Sequence, residues 1–176
     1  MELGLIHIYC GDGKGKTTAS MGLGMRAVGR GKKVLLTQFL KDNETGELNS
    51  IEKLRPNFEI FKGIPVNKFF KFMSTEEQIL TKNEHANRFR KVTQKAVDEN
   101  FDLLILDEII ASTNLDLISL YEVVKFLKNK PEGLEVILTG RNPDEKLVEL
   151  ADYVSEIKAV KHPYEKGINS RIGIEK

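Results

Sequence analysis

Short apolar runs alternate along this chain with longer stretches in which apolar residues recur at helical spacing. That alternation is the mark of strands following helices in βαβ units. Leu3–Cys10, with Leu5, Ile6, Ile8 and Tyr9 apolar, predicts a buried strand, and Gly11–Gly15 a glycine-rich turn. Lys16–Arg30 predicts a helix ended by Gly31, Val34–Phe39 a second strand and Phe58–Phe61 a short third one. Ser74-Thr75-Glu76-Glu77 has the form of a capping box and opens a helix to about Asn100. Ala86, Phe89, Val92 and Ala96 are its expected buried face. Phe101–Leu106 predicts a strand that delivers Asp107 and Glu108 at its end. Ser119–Lys130 predicts a helix with a second box, Ser119 to Glu122, and Pro131 beyond it. Leu134–Thr139 follows as a strand, and Asn142–Glu145 starts the last helix with Pro143 at its first position. Tyr153–Ile157 is the expected final strand, and the tail from Val160 is rich in turn formers. The expected fold is α/β: one domain over residues 1–176, with a mostly parallel sheet and helices on both faces.

Composition narrows the function classes. The chain has 176 residues, with 27 basic and 26 acidic side chains and a net charge of +1. That balance provides no electrostatic grip on nucleic acid or anionic lipid. The single cysteine, Cys10, allows neither an intrachain disulfide nor a multi-cysteine metal site. No apolar stretch has the roughly 18 residues of a membrane span, and the first residues do not read as a secretion signal. A cytoplasmic protein is expected.

The informative stretch is Gly11-Asp12-Gly13-Lys14-Gly15-Lys16-Thr17-Thr18, between an apolar strand and a helix. Glycines let successive backbone N–H groups turn toward one anion, and the helix start adds its positive dipole end. Lys16 supplies a mobile charge for phosphate oxygens, and Thr17 a hydroxyl for a phosphate-bound Mg²⁺. The usual phosphate loop, G-x-x-x-x-G-K-[ST], would begin at Cys10; measured from Gly11 this loop is one residue short. A dinucleotide fingerprint fails, because Lys16 stands where its last glycine would be. The plainer reading, a glycine-rich turn with chance lysines, does not account for two lysines and two threonines in this register. The acidic strand end, Asp107-Glu108, is the second element. Carboxylates at the C-terminal edge of a parallel strand, beside a phosphate loop, can hold Mg²⁺ directly or through water. The alternative is a solvated acidic turn, and the sequence does not divide the work between Asp107 and Glu108.

Other positions carry two readings each. Arg26, nine residues after Thr17, and Arg141, beyond the strand Leu134–Thr139, are either solvated arginines or phosphate contacts. Phe69, Phe70 and Phe72, interleaved with Lys68 and Lys71, are either core or the lining of a site for a large flat apolar ligand. His162, before Pro163, either shapes a turn or serves as a ligand or base. His7 and Cys10 read as packing residues.

Taken together these blocks resemble the P-loop corrinoid adenosyltransferases, the cob(I)alamin adenosyltransferases of the CobA/CobO/BtuR type. The resemblance runs through the short loop Gly11–Thr18, Gln38-Phe39-Leu40-Lys41, Gly46-Glu47-Leu48 and Leu106-Asp107-Glu108. It continues through Thr139-Gly140-Arg141, Ala151–Glu156 and Lys161-His162-Pro163-Tyr164. It implies a P-loop NTPase-like (RecA-like) fold and transfer of the 5′-deoxyadenosyl group of ATP to Co(I) of a corrinoid, with release of triphosphate. The setting it implies is adenosylcobalamin synthesis or salvage. The short loop goes with ATP bound in the reverse direction, so that C5′ rather than the terminal phosphate is exposed. Carried onto this chain, Gly11, Asp12, Gly13, Lys14, Gly15, Lys16, Thr17 and Thr18 cradle the triphosphate, with Arg26 and Arg141 on phosphate. Lys16, Thr17 and Glu108 act in the reaction, and Thr17, Glu108 and Asp107 are the candidate Mg²⁺ ligands. Phe70 and Phe72 face the corrin; the chain has no tryptophan. A homodimer and a flavoprotein reductant are also implied. Two rivals share the phosphate loop. A P-loop nucleoside or small-molecule kinase predicts ADP and a phosphorylated acceptor, and a non-catalytic nucleotide-dependent switch predicts no corrinoid affinity.

Overall fold

A computed structural model describes residues 3–42 and 44–175. The strands are β1 (Ile6–Cys10), β2 (Val34–Gln38), β3 (Phe58–Ile60), β4 (Leu103–Asp107), β5 (Glu135–Thr139) and β6 (Tyr153–Glu156). They form one sheet in the order β3-β2-β4-β5-β1-β6, and every pairing is parallel. The helices are α1 (Lys16–Val28), α2 (Gly46–Ile51), α3 (Thr75–Asp98), α4 (Ile109–Asn114), α5 (Leu120–Asn129) and α6 (Glu145–Leu150). Short 3₁₀ turns occupy Glu52–Leu54, Phe70–Phe72 and Pro163–Lys166. No helix among the described residues is long and apolar enough to cross a membrane.

The strands are apolar on both sides because helices cover both sides. In β4, Leu104 and Leu106 join Phe89, Val92 and Ala96 of α3, Ile109 and Ile110 of α4, Val123 and Leu127 of α5 and Leu147 of α6. Leu103 and Ile105 of the same strand turn the other way, to Met21 of α1 and Leu48 and Ile51 of α2. This is the two-faced α/β layout that the alternating pattern predicts. It places the C-terminal ends of β1, β4 and β5 side by side, where ligands gather in such sheets.

Several boundaries and caps differ from the sequence expectations. The first, fourth and fifth strands begin later than their apolar runs do, at Ile6, Leu103 and Glu135, and β4 extends to Asp107. Residue 102 is held before the strand, its carboxylate accepting from the Lys33 amide at 2.7 Å. The box at Ser74 forms as expected, with both of its hydrogen bonds. The box at Ser119 does not: Ser119 makes no side-chain cap bond. Glu122 instead accepts from Arg90 of α3 at 2.9 and 3.1 Å. Pro143 lies outside α6, which starts at Glu145 behind Asp144 as N-cap, accepting from the Lys146 amide at 2.9 Å. Ala86 is only half-buried, while His85 and Arg88 of α3 are buried, which hydrophobic spacing did not foretell.

Candidate active site

The turn Gly11–Gly15 carries the chain from β1 into the N-terminus of α1. Gly11 has a φ of 101°, and a Cβ there would sit 2.4 Å from the Ile157 carbonyl. Only glycine fits, by both conformation and space. The Gly13 amide donates to the Ile157 oxygen at 2.7 Å and the Ile157 amide to the Cys10 oxygen at 2.8 Å. The chain just after β6 therefore clamps the loop from behind. Lys16 is buried and donates to the Gly13 carbonyl at 2.9 Å, folded over its own loop. Burial lowers its pKa, and Glu108 and the other nearby carboxylates pull it back up.

Behind the loop lies a fully buried carboxylate. Asp107 Oδ1 accepts from Thr17 Oγ1 at 2.9 Å and from Thr139 Oγ1 at 2.7 Å, and Oδ2 accepts from Gln38 Nε2 at 2.9 Å. Three strand ends and the helix start thus converge on one charge. Because Thr17 gives its proton to Asp107, its oxygen lone pairs are left for a cation on the cleft side. Glu108 has a left-handed backbone (φ 60°) and donates its amide to Thr139 Oγ1 at 2.9 Å. That bend turns the chain from strand into α4. Burial raises the Glu108 pKa, the Asp107 charge adds to it, and Lys41, Lys16 and Arg141 oppose it.

A cleft of about 630 Å³ opens in front of the loop. Asp12, Gly13, Lys14, Gly15, Lys16, Thr17, Thr18, Glu108 and Arg141 all line it, so the structure brings together most of the residues singled out in the sequence. Arg141 faces Asp12 across 3.7 Å, and its loop is held by Asn114 Nδ2, which donates to the carbonyls of Arg141 and Asn142. Gly11 shapes the turn without lining the cleft, and Asp107 lies one layer behind it. Arg26 is the exception. It sits in the last turn of α1, exposed, and does not line the cleft. Nine residues of helix at ~1.5 Å each carry it roughly 14 Å from Thr17. A helix that begins at the phosphate loop delivers its far end to the opposite edge of the sheet.

Lys41, His162 and Tyr164 also line the cleft, and sequence reasoning gave the first and last of these no role. The block Lys161–Tyr164 was the available signal. Its 3₁₀ turn starts with His162 as N-cap, accepting from the Tyr164 amide at 3.2 Å. The aromatic segment lies apart from the cleft wall. Phe69 and Phe72 are exposed at 77% and 63% and meet edge to face at 6.4 Å, while Phe70 is half-buried. The exposed pair is therefore Phe69 with Phe72 rather than Phe70 with Phe72. Such large exposed aromatics mark a contact surface rather than core.

The oxygen donors Thr17 and Glu108 suit Mg²⁺, which binds through one or two protein groups plus substrate phosphates. Among the described residues there is no group of three or more His, Cys, Asp or Glu that could hold a metal ion.

Comparison with known proteins identifies the family. A family model described as "ATP:corrinoid adenosyltransferase BtuR/CobO/CobP" matches residues 2–175. The chain is 38% identical over 181 residues to the corrinoid adenosyltransferase of Escherichia coli (strain K12), covering 99% of this chain and 86% of that one. It is 34% identical to corrinoid adenosyltransferase CobA of Salmonella typhimurium (strain LT2), with the same coverage. To the corrinoid adenosyltransferase of Sinorhizobium sp it is 36% identical over 177 residues, 99% of this chain and 81% of the relative. A phosphate loop one residue short, an acidic strand end behind it and a likeness that spans the chain lead to one assignment: the protein belongs to the ATP:corrinoid adenosyltransferase family.

Proposed function

We propose that the cleft in front of Lys16 and Thr17 is where this ATP:corrinoid adenosyltransferase holds the triphosphate of ATP while a corrinoid approaches C5′. The supporting observation is the convergence of Lys16, Thr17, Glu108 and Arg141 on one cleft beside a shortened loop. The reaction forms a Co–C bond as the Co(I) electron pair attacks C5′, and the C5′–O bond breaks with its electrons passing to triphosphate. Charge therefore builds on the leaving oxygen. Loop amides, Lys16 and Arg141 stabilise that charge where it develops. No residue needs to remove a proton from the nucleophile, so holding the two substrates in line is the main task.

Thr17 and Glu108 would hold Mg²⁺, which supplies further charge neutralisation on the phosphates when bound. Asp107 orients Thr17 from behind. The ATP lies reversed relative to an ordinary P-loop NTPase, with the ribose toward the open side. Phe69 and Phe72 present the apolar face that meets the corrin, and Phe70 props their turn. The chain folds as a single domain over residues 1–176, works as a homodimer and receives its reduced corrinoid with the help of a flavoprotein reductant.

The test is product identity. The protein is incubated with ATP, Mg²⁺ and chemically reduced cobalamin. Triphosphate in a 1:1 ratio with a light-sensitive alkylcobalamin supports the reading; ADP as the nucleotide product refutes it.

A further inference from the structure

Helix α3 buries a charged cluster that the proposed chemistry does not use. Arg88 is only 3% exposed. Its Nη1 donates to the Gln38 carbonyl at 2.5 Å, its Nη2 to the Ile64 carbonyl at 3.3 Å, and both Nε and Nη2 to Glu84, at 2.8 and 2.6 Å. The guanidinium lies over the Phe39 ring, 5.4 Å from its centre. Glu84 in turn accepts from the Ile64 amide at 3.2 Å. Burial pushes the Glu84 carboxyl up, but hydrogen bonds from His85 and Arg88 and the Arg88 charge outweigh it and hold it at about 2. His85, also buried, accepts from the Leu40 amide at Nε2 across 3.2 Å. Leu40 has a φ of 55°, unusual for a bulky residue, so that bond holds a bend the chain would not choose.

The partners of this cluster belong to two different parts of the molecule. Gln38 fixes Asp107, and through it Thr17; Leu40 leads into Lys41 at the cleft. Ile64 begins the segment that ends in Phe69 and Phe72. The same segment is tied to the cleft loop once more, by the Val66 amide donating to the Lys41 carbonyl at 2.9 Å. Gly63 packs so closely on Arg88 that a Cβ there would lie 1.9 Å from the guanidinium carbon. One forked, charged side chain therefore ties the backbone of the phosphate side to the backbone of the aromatic side.

We propose that Arg88 is a positioning residue, which with Glu84 holds the Phe69–Phe72 turn in register with the phosphate cleft and so sets the approach of the corrinoid to C5′. This rests on the reading of that turn as the corrin-facing surface. Lysine cannot take Arg88's place, because one ammonium cannot reach two carbonyls and both carboxylate oxygens with planar geometry. An ångström of misplacement between reactants is enough to cost roughly a hundredfold in rate.

The experiment uses the full chain with preformed Co(I) cobalamin and MgATP, and compares Arg88→Lys, Glu84→Gln, Phe72→Ala and Arg90→Lys. ATP-binding stoichiometry counts folded, competent sites, and kcat is expressed per such site. Arg88→Lys is expected to lose at least tenfold in kcat per competent site, with the ATP dissociation constant changed less than twofold. Amide exchange at Ile64 and Val66 should accelerate while that in β4 does not. Glu84→Gln should move in the same direction, which keeps the test open should Arg88→Lys fold poorly. Arg90→Lys, on the exposed face of the same helix, should change neither quantity. A kcat per competent site within twofold of the parent in both Arg88→Lys and Glu84→Gln would overturn the inference, leaving a stability role only. If Phe72→Ala impairs corrinoid handling and the other two do not, the aromatic surface stands and the positioning role falls. If Phe72→Ala has no effect on corrinoid binding or rate, the corrin-facing reading fails, and the inference with it.

Discussion

Replacing Thr139 by valine tests whether Asp107 is the centre that holds the site together. The change keeps the side-chain shape and removes one hydroxyl. That hydroxyl donates to Asp107 at 2.7 Å and accepts from the Glu108 amide at 2.9 Å. Losing a hydrogen bond to a buried charge costs about 1.5–3 kcal/mol, and a part-buried amide left without a partner about 1 kcal/mol more. Because the two losses share one relaxing neighbourhood, about 3 kcal/mol is the working figure. For a chain of 176 residues, each kcal/mol moves the melting temperature by ~2–4 °C. Thr139→Val should therefore melt roughly 9 °C lower, read by circular dichroism without ligand. Thr17→Val removes the other donor to the same oxygen, 2.9 Å away. The double variant should depart from additivity by about 1 kcal/mol or more, as contacting residues on one network do. A melting shift below ~2 °C for Thr139→Val, or strict additivity with Thr17→Val, would refute the shared-carboxylate account.

Lys16→Ala should reduce kcat/KM for ATP at least a hundredfold while leaving the fold intact, since its one side-chain bond in the structure is to its own loop; wild-type triphosphate release in that variant removes the phosphate-loop assignment. Phe72→Ala should leave the melting temperature within about 2 °C, as surface changes do, yet slow reaction from Co(II) plus reductant more than reaction from preformed Co(I); equal losses by both routes count against the corrin-facing role. Glu108→Gln addresses a conflict between stability and function. Burial and the Asp107 charge raise the Glu108 pKa, so the folded state holds this proton more tightly than the unfolded chain does. Stability is then lost as pH rises from the ordinary glutamate range through the raised value. Glu108→Gln should accordingly raise the melting temperature of the ligand-free protein at pH 7. The gain should disappear when pH falls below the ordinary glutamate range. Mg²⁺-dependent turnover should collapse in the same variant. A gain in melting temperature that is the same at acid and neutral pH contradicts this electrostatic origin.

The layered fold was legible because hydrophobic spacing reports which faces are buried. The alternating pattern placed six strands to within a few residues, and the phosphate loop followed from glycine, lysine and threonine in one register. The short helices α2 and α4 were not legible. α4 has six residues and no side-chain cap, and its start depends on the left-handed backbone of Glu108, a conformation imposed by contacts with β5. The different placement of Asp107, buried, and Glu108, at the cleft, was equally hidden, because neighbours in sequence differ only once the strand ends and one points inward. Arg26 is near the loop in sequence but far from it along the helix axis. His85 and Arg88 escaped notice because polar residues on an amphipathic helix are read as solvent-facing. Their burial depends on backbone carbonyls from Gln38 and Ile64, far away along the chain.

The convergence on Asp107 has a bearing on how the chain is made. Its three side-chain partners lie 90, 69 and 32 positions away, two before it and one after. Such remote pairings form slowly, because the intervening loops must close first. During synthesis the aspartate emerges from the ribosome ahead of Thr139, so a nascent chain carries a central acid whose hydrogen-bonding shell is incomplete. The pocket around this carboxylate is thus among the last parts to mature, and chains stopped short of the fifth strand should remain molten around it and be prime targets for proteolytic clearance.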